Sequence, residues 1–189
     1  MGPWAETSNS PSQSERRSMK EKATYEWRVA FSAANEIRSK LEPHCEPEMI
    51  KIVGSLRRQC ETVHDVDIVL WPKPGSLEFP HFDLMRLLGL SWREIKGKDK
   101  FIHGTFAGIP VDLYFAGPDT WWTLVVIRTG SAGHNIRLCS RAQAMGMKLH
   151  ADGSGLEDPA GSGHLTPPLS EESLFKLLLL PYVEPKDRV

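Results

Sequence analysis

Apolar side chains recur at three- and four-residue spacing from Met19 to Leu41. Ala30, Ala33, Ala34, Ile37 and Leu41 form one stripe, so the pattern predicts an amphipathic helix that stops at Pro43. The rhythm then shortens. "EMIKIVGS" at 48–55 predicts a strand ending at glycine, the polar "LRRQCET" a short helix, and "HDVDIVL" at 64–70 a strand closed by Pro72. "FDLMRLLGL" predicts a short helix with Gly89 near its end, and "REIKGKDKFIHGTFAGIPVDLYFA" predicts strands that turn at Gly97 and Gly108. After "GPD" at 117–119 come two helical segments, "TWWTLVVIRTG", capped by Asp119 and ended by Gly130, and "HNIRLCSRAQAMGM". Residues 151–168 predict a loop or ragged hairpin, and "SEESLFKLLLL" a last helix capped by Ser170. No internal repeat interrupts this order.

Strands mixed with helices, followed by a mostly helical last third, give an α+β chain. Its 189 residues suit one compact domain or two small subdomains sharing a core. Residues 1–18, rich in Ser, Pro, Asn and Gln, read as a flexible tail. The longest wholly apolar run, at 177–180, is too short to span a bilayer and no signal pattern opens the chain, which points to an intracellular protein without a membrane partner. Cys45, Cys60 and Cys139 are odd in number and lack CxxC spacing, so they read as reduced thiols rather than a disulfide framework or a zinc site. The net charge of −1 lends nucleic-acid binding no support as an average, but residues 91–150 hold eight basic against four acidic side chains.

The candidate chemistry starts at Asp65 and Asp67. Two positions apart in a strand, they point to one face while Val66 and Ile68 face the core. Paired carboxylates repel unless a cation joins them, and oxygen ligands suit Mg²⁺ or Mn²⁺ rather than zinc; two solvated acids at an exposed strand end are the plainer reading. Two more features alter that balance. Gly54 and Ser55 end a strand and open a helix, a position that offers N–H groups and a hydroxyl to phosphates, with Arg57 and Arg58 following. A third acid, Asp112, lies in the apolar strand "IPVDLYF". Trp121 and Trp122 read as one core and one half-exposed helix residue, His103 and His134 as surface histidines, and Arg137 and Arg141, four apart, as candidates for a nucleic-acid backbone.

These residues resemble the nucleotidyltransferase superfamily and, within it, the family X DNA polymerases of the polymerase beta kind. The likeness runs over about residues 25–189 and rests on "GSLRRQCETVHDVDIVL", "GKDKFIHG", "VDLYFAG", "TGSAGHN" with "AMGM", and "LLLLPYVEPKDR". The resemblance implies a catalytic palm at 19–118, a mixed twisted sheet with helices on one face, and a small, mostly helical thumb at 119–189. It implies that Asp65 and Asp67 ligate two Mg²⁺ ions, with Mn²⁺ as a substitute, and that Asp112 holds the catalytic one beside a primer 3′-hydroxyl. Gly54, Ser55 and Arg58 would bind the triphosphate, and Thr129, Gly130 and Ser131, with a cis peptide, would lie under the incoming sugar. Asn135 would reach the base, and Arg128, Arg137 and Arg141 the DNA. The implied activity is that of a DNA-directed DNA polymerase, a monomer adding deoxynucleotides to primer-template or gapped DNA. Fifty-three residues before Gly54 are too few for a lyase domain, so the expected form is minimal and gap-filling.

Several positions depart from the family pattern. Gln59-Cys60 replaces Gly-Ala, His64 replaces a glycine, Pro110 stands where many relatives carry arginine, and Ile127-Arg128 replaces an aromatic pair. Two rival functions remain: a nucleotidyltransferase acting on RNA ends, a protein or a small molecule, and a catalytically silent nucleic-acid-binding module.

Overall fold

In a computed structural model, the described residues are 23–76, 80–89, 91–96, 101–158, 163 and 165–189. The expected tail at 1–18, the expected helix start at Met19 and the turn at Gly97 lie outside them. Strand β1 (Tyr25–Glu26) leads directly into helix α1 (Trp27–Leu41), and a short 3₁₀ turn at Glu42–His44 follows. Then come β2 (Cys45–Ile52), α2 (Gly54–Arg57), β3 (Thr62–Val63), β4 (Val66–Pro72), α3 (Pro80–Leu88), β5 (Ser91–Lys96), β6 (Phe101–Phe106) and β7 (Ile109–Phe115). The C-terminal part holds α4 (Trp121–Thr129), α5 (Ala132–Ala144), β8 (Lys148–His150), β9 (Gly155–Glu157), β10 (Leu165–Thr166) and α6 (Glu171–Leu177).

The first part is a mixed five-stranded sheet in the order β2-β4-β7-β6-β5, with β4 and β7 parallel and the other neighbours antiparallel. Alternation along each strand divides its side chains between two faces. Ile68, Leu70, Val111, Leu113 and Ile102 face one way and pack with Ala30, Ala34, Ile37 and Leu41 of α1 and with Leu84 and Leu88 of α3. On the opposite face Val53, Val69 and Tyr114 pack with Trp121, Leu124 and Val125 of α4. Only part of that second face is covered, and the polar residues between β4 and β6 lie on it. A third core, with Leu138, Leu149, Leu156, Leu174 and Phe175, joins α5 and α6 to the small sheet β10-β9-β8.

Some boundaries differ from the sequence pattern for local reasons. Helix α1 starts at Trp27, after β1 has paired with β3, and the Trp27 indole donates to the Leu56 carbonyl at 2.9 Å. Asp119 does not cap α4. Thr120 holds the cap position, and the Gly117 carbonyl takes the Thr120 and Trp121 N–H groups at 3.1 and 3.0 Å, so no carboxylate is needed there. Ser170 does cap α6, in a reciprocal pair with Ser173. Trp121 is buried and Trp122 half-buried. The three cysteines are free thiols. Among the described residues no helix is long and apolar enough to cross a membrane.

Candidate active site

Sheet register sets three polar residues side by side. The parallel pair β4–β7 matches Asp67 with Asp112, and the antiparallel pair β6–β7 matches Asp112 with His103, so the three side chains share one face. His103 Nδ1 lies 2.5 Å from Asp112 Oδ1. The Tyr114 hydroxyl lies 3.3 Å from both Asp67 Oδ1 and Asp112 Oδ2. Asp65 stands just before β4 begins. Burial pushes the Asp67 carboxyl up to about 7, and the charges of Asp65 and Asp112 push the same way; Tyr114 and Arg128 offset this only in part. Arg128 reaches the row from α4, its guanidinium 4.2 Å from the centre of the Tyr114 ring.

Gly54 closes the row at its other end. Its φ is +64°, and a Cβ there would stand 2.0 Å from Asp67 Oδ2, so only glycine lets α2 lie against that carboxylate. Helix α2 is a single turn, which makes its dipole slight and leaves the attraction of anions here to side chains. Both arginines that follow reach the C-terminal part. Arg58 Nη1 donates to the Thr129 carbonyl, and Arg57 donates to Thr129 Oγ1 at 2.9 Å and to Glu171 Oε1 at 2.5 Å. Arg188 donates to the other Glu171 oxygen at 2.9 Å. Burial alone would raise the Glu171 carboxyl, but the bonds and charges of Arg57 and Arg188 outweigh it and hold the group below its ordinary value. Beyond Thr129 the Gly130–Ser131 peptide is cis, and Ser131 Oγ caps α5 by accepting the His134 N–H at 3.1 Å. Asn135 Nδ2 donates to the Ile127 carbonyl at 2.8 Å, while its buried Oδ1 has no partner among the described residues.

Residues 124–189 match the family model described as DNA polymerase beta thumb. Most of the chain is similar in structure to Leishmania infantum polymerase beta, solved as a ternary P/T complex. That match has a TM-score of 0.71 and 19% identity, and covers 89% of this chain and 77% of the other. The chain has the fold of a polymerase beta-like, family X protein. A sequence comparison with curated proteins finds no match.

In this fold Asp67 and Asp112 lie side by side on the sheet, Asp65 stands just before β4, Gly54 lies against Asp67, and Arg58 reaches the Thr129 carbonyl. Arg137 and Arg141 lie apart on α5. Arg137 donates to the Val189 carbonyl, and Arg141 Nε donates to the Leu178 carbonyl at 2.9 Å, so both also tie α5 to the C-terminal segment. Arg128 points into the carboxylate row. Its Nε is buried without a hydrogen-bond partner among the described residues. A cavity of 540 Å³, lined by Phe101, Gly117, Leu124 and Asp152, shares only Tyr114 and Arg128 with the row.

The donor set fits a divalent cation in kind: three carboxylates, all oxygen ligands, with the Asp67 carboxyl raised first by burial and then by the charges of Asp65 and Asp112. It is not closed around a point. Among the described residues no three His, Cys, Asp or Glu side chains are gathered to enclose an ion, and His103 and Tyr114 contact the Asp112 oxygens.

Of the two histidines read as surface residues, His134 requires correction. His134 is buried against Phe175 with its rings 5.6 Å apart, and burial followed by the charges of Arg188 and Arg137 pushes it down to about 4. His103 is a partner of Asp112. Sequence reasoning missed that contact although a signal existed: a two-residue turn at Ala107–Gly108 sets Phe106 opposite Ile109, and three steps back meets three steps forward at His103 and Asp112. The Arg57–Glu171–Arg188 chain had no such signal, because Arg57 and Glu171 are 114 residues apart, on the two parts of the fold, and Arg188 is 17 residues from Glu171.

Proposed function

We propose that the protein is a DNA polymerase that adds deoxynucleotides to a primer 3′-hydroxyl on gapped or primed DNA. One observation carries this reading: Asp67 and Asp112 lie abreast on parallel strands, and Arg58 links that corner to the Thr129–Ser131 turn. The 3′-oxygen forms a bond to the α-phosphorus as the bond to pyrophosphate breaks. Asp65 and Asp67 would hold two Mg²⁺ ions and Asp112 one of them; when bound, Mg²⁺ or Mn²⁺ supplies Lewis-acid stabilisation of charge on the phosphates.

The chain's own groups do the rest. Asp112, on the central strand, faces the primer terminus. Ser55 and Arg58 offer a hydroxyl and a forked cation to the triphosphate, within reach of the carboxylates because Gly54 has no side chain. The Gly130–Ser131 turn and Asn135 form the surface on which sugar and base would rest. Phosphates of a primer-template are the natural partners of exposed Arg137 and its basic neighbours.

The test is nucleotide incorporation on gapped, nicked and template-free DNA with Mg²⁺ and Mn²⁺ compared. Template-matched, metal-dependent extension is expected. Extension of RNA ends alone, or transfer to a protein or small molecule, would favour the broader nucleotidyltransferase reading. Binding of DNA with no turnover in either metal would mark a silent binding module.

A further inference from the structure

Asp112 is held from both sides by residues to which the sequence pattern alone assigns no role in the site. On one side stands His103, whose place opposite Asp112 is fixed by strand register rather than by a mobile loop. On the other stands Tyr114, two residues along the same strand and therefore on the same face. The two holds are unequal. A phenol has one proton, so Tyr114, at 3.3 Å from each of two carboxylates, serves one at a time and at long range. His103 Nδ1 contacts a single oxygen, Asp112 Oδ1, and lies closer to it than the Tyr114 hydroxyl does to either carboxylate.

We infer that His103 is the positioning residue of Asp112: its Nδ1–H fixes Oδ1 and so leaves Oδ2 on the side of Asp67, where the reaction needs it. This rests on the carboxylate row being the nucleotide-transfer site. An ionised carboxylate only accepts hydrogen bonds, so Nδ1 carries the proton. Fixing one oxygen removes the free rotation of the carboxyl about its Cβ–Cγ bond. A carboxylate that must meet both a cation and a primer hydroxyl then starts from one orientation rather than many. The side chain of His103 is 30% exposed and that of Asp112 17%, so the pair lies at the open mouth of the row, where packing alone does not hold a rotamer.

Three variants separate a hydrogen bond at the δ position from general polarity. His103→Asn keeps an N–H donor there, His103→Gln moves it outward, and His103→Ala removes it. In single-turnover extension of gapped DNA, the Ala and Gln variants are expected to lower kcat about 10- to 100-fold with the nucleotide KM unchanged, while Asn retains most of the rate. An Ala variant with the rate of the unmodified protein overturns the inference, as does an Asn variant as slow as Ala.

A second measurement needs no turnover. In ¹⁵N-histidine-labelled, substrate-free protein, the His103 Nδ1 is expected to bear a proton and to shift in Asp112→Ala. An Nδ1 that is unprotonated, or blind to Asp112→Ala, overturns the inference even in an active polymerase. A protein that transfers no nucleotide but shows that coupling overturns the polymerase reading and leaves the positioning of Asp112 by His103 standing.

Discussion

Asp67 in the palm sheet and Glu171 at the start of the last helix are both carboxylates withdrawn from water, and their surroundings drive them in opposite directions. Glu171 lies between Arg57 and Arg188, and its proton affinity falls. For Asp67 burial raises the affinity most, the charges of Asp65 and Asp112 add to it, and Tyr114 and Arg128 offset it only in part. The charge of Glu171 is answered within the fold, and it joins the two halves of the molecule. That of Asp67 is left largely unanswered, which is the condition of a site that takes a cation from solution. Burial of a carboxylate is thus common to both regions, and the company it keeps decides which is structural and which is chemical.

The largest effect expected is on turnover. Asp112→Asn should lower nucleotide transfer by about 10³-fold or more while triphosphate binding stays nearly intact, and Asp67→Asn should impair both. Rapid-quench rates and nucleotide affinities measured on the two variants check this. Near-normal turnover in Asp112→Asn would remove the third carboxylate from the site and break the comparison on the palm side.

The thumb side breaks differently. Glu171→Ala strips Arg188, which is 1% exposed, of its counter-charge and should destabilise the protein by about 3–5 kcal/mol in urea unfolding. Asp67→Asn removes a charge that its neighbours oppose, so in metal-free protein near neutral pH it should not destabilise at all. Equal losses from the two substitutions would show that the two carboxylates are not opposites.

His134 sharpens the same contrast from the basic side. Its folded-state value, about 4, lies below the ordinary 6.5, so the unfolded chain binds the proton first. The stability this contributes is complete above the unfolded value and is lost as pH falls from about 6.5 towards 4, by up to about 3 kcal/mol. Urea midpoints at pH 7.5 and 4.5, compared with those of His134→Phe, read that increment; the variant should lose it.

The smallest effect belongs to DNA affinity. Neutralising Arg137 and Arg141 together should flatten the slope of log affinity against log salt by about 1, since Arg137 is exposed while Arg141 is half-buried. An unchanged slope would place the DNA path on another surface.

Much of this contrast is legible from sequence, unevenly. Periodicity finds α1, β4, β7 and α6, and the acids at 65, 67 and 112 stand out because carboxylates in apolar strands are costly. Their environment is another matter. That Asp67 touches α2 depends on Gly54 having no Cβ, and that Asp112 meets His103 depends on a hairpin turn two residues long. Arg57 reads as one of a pair facing phosphate, yet its bonds to Thr129 and Glu171 make it a tie between the two parts. The buried state of His134 likewise comes from the docking of Phe175, some forty residues away in sequence, which no local pattern announces.

The claim that the palm carboxylates await a cation is tested most directly by a ¹³C NMR titration of the Asp67 carboxyl, with and without Mg²⁺. A midpoint near 7 is expected in metal-free protein. With Mg²⁺ at saturation the midpoint is expected to fall by at least about two pH units. A midpoint in the ordinary carboxylate range that Mg²⁺ leaves unmoved would contradict the claim.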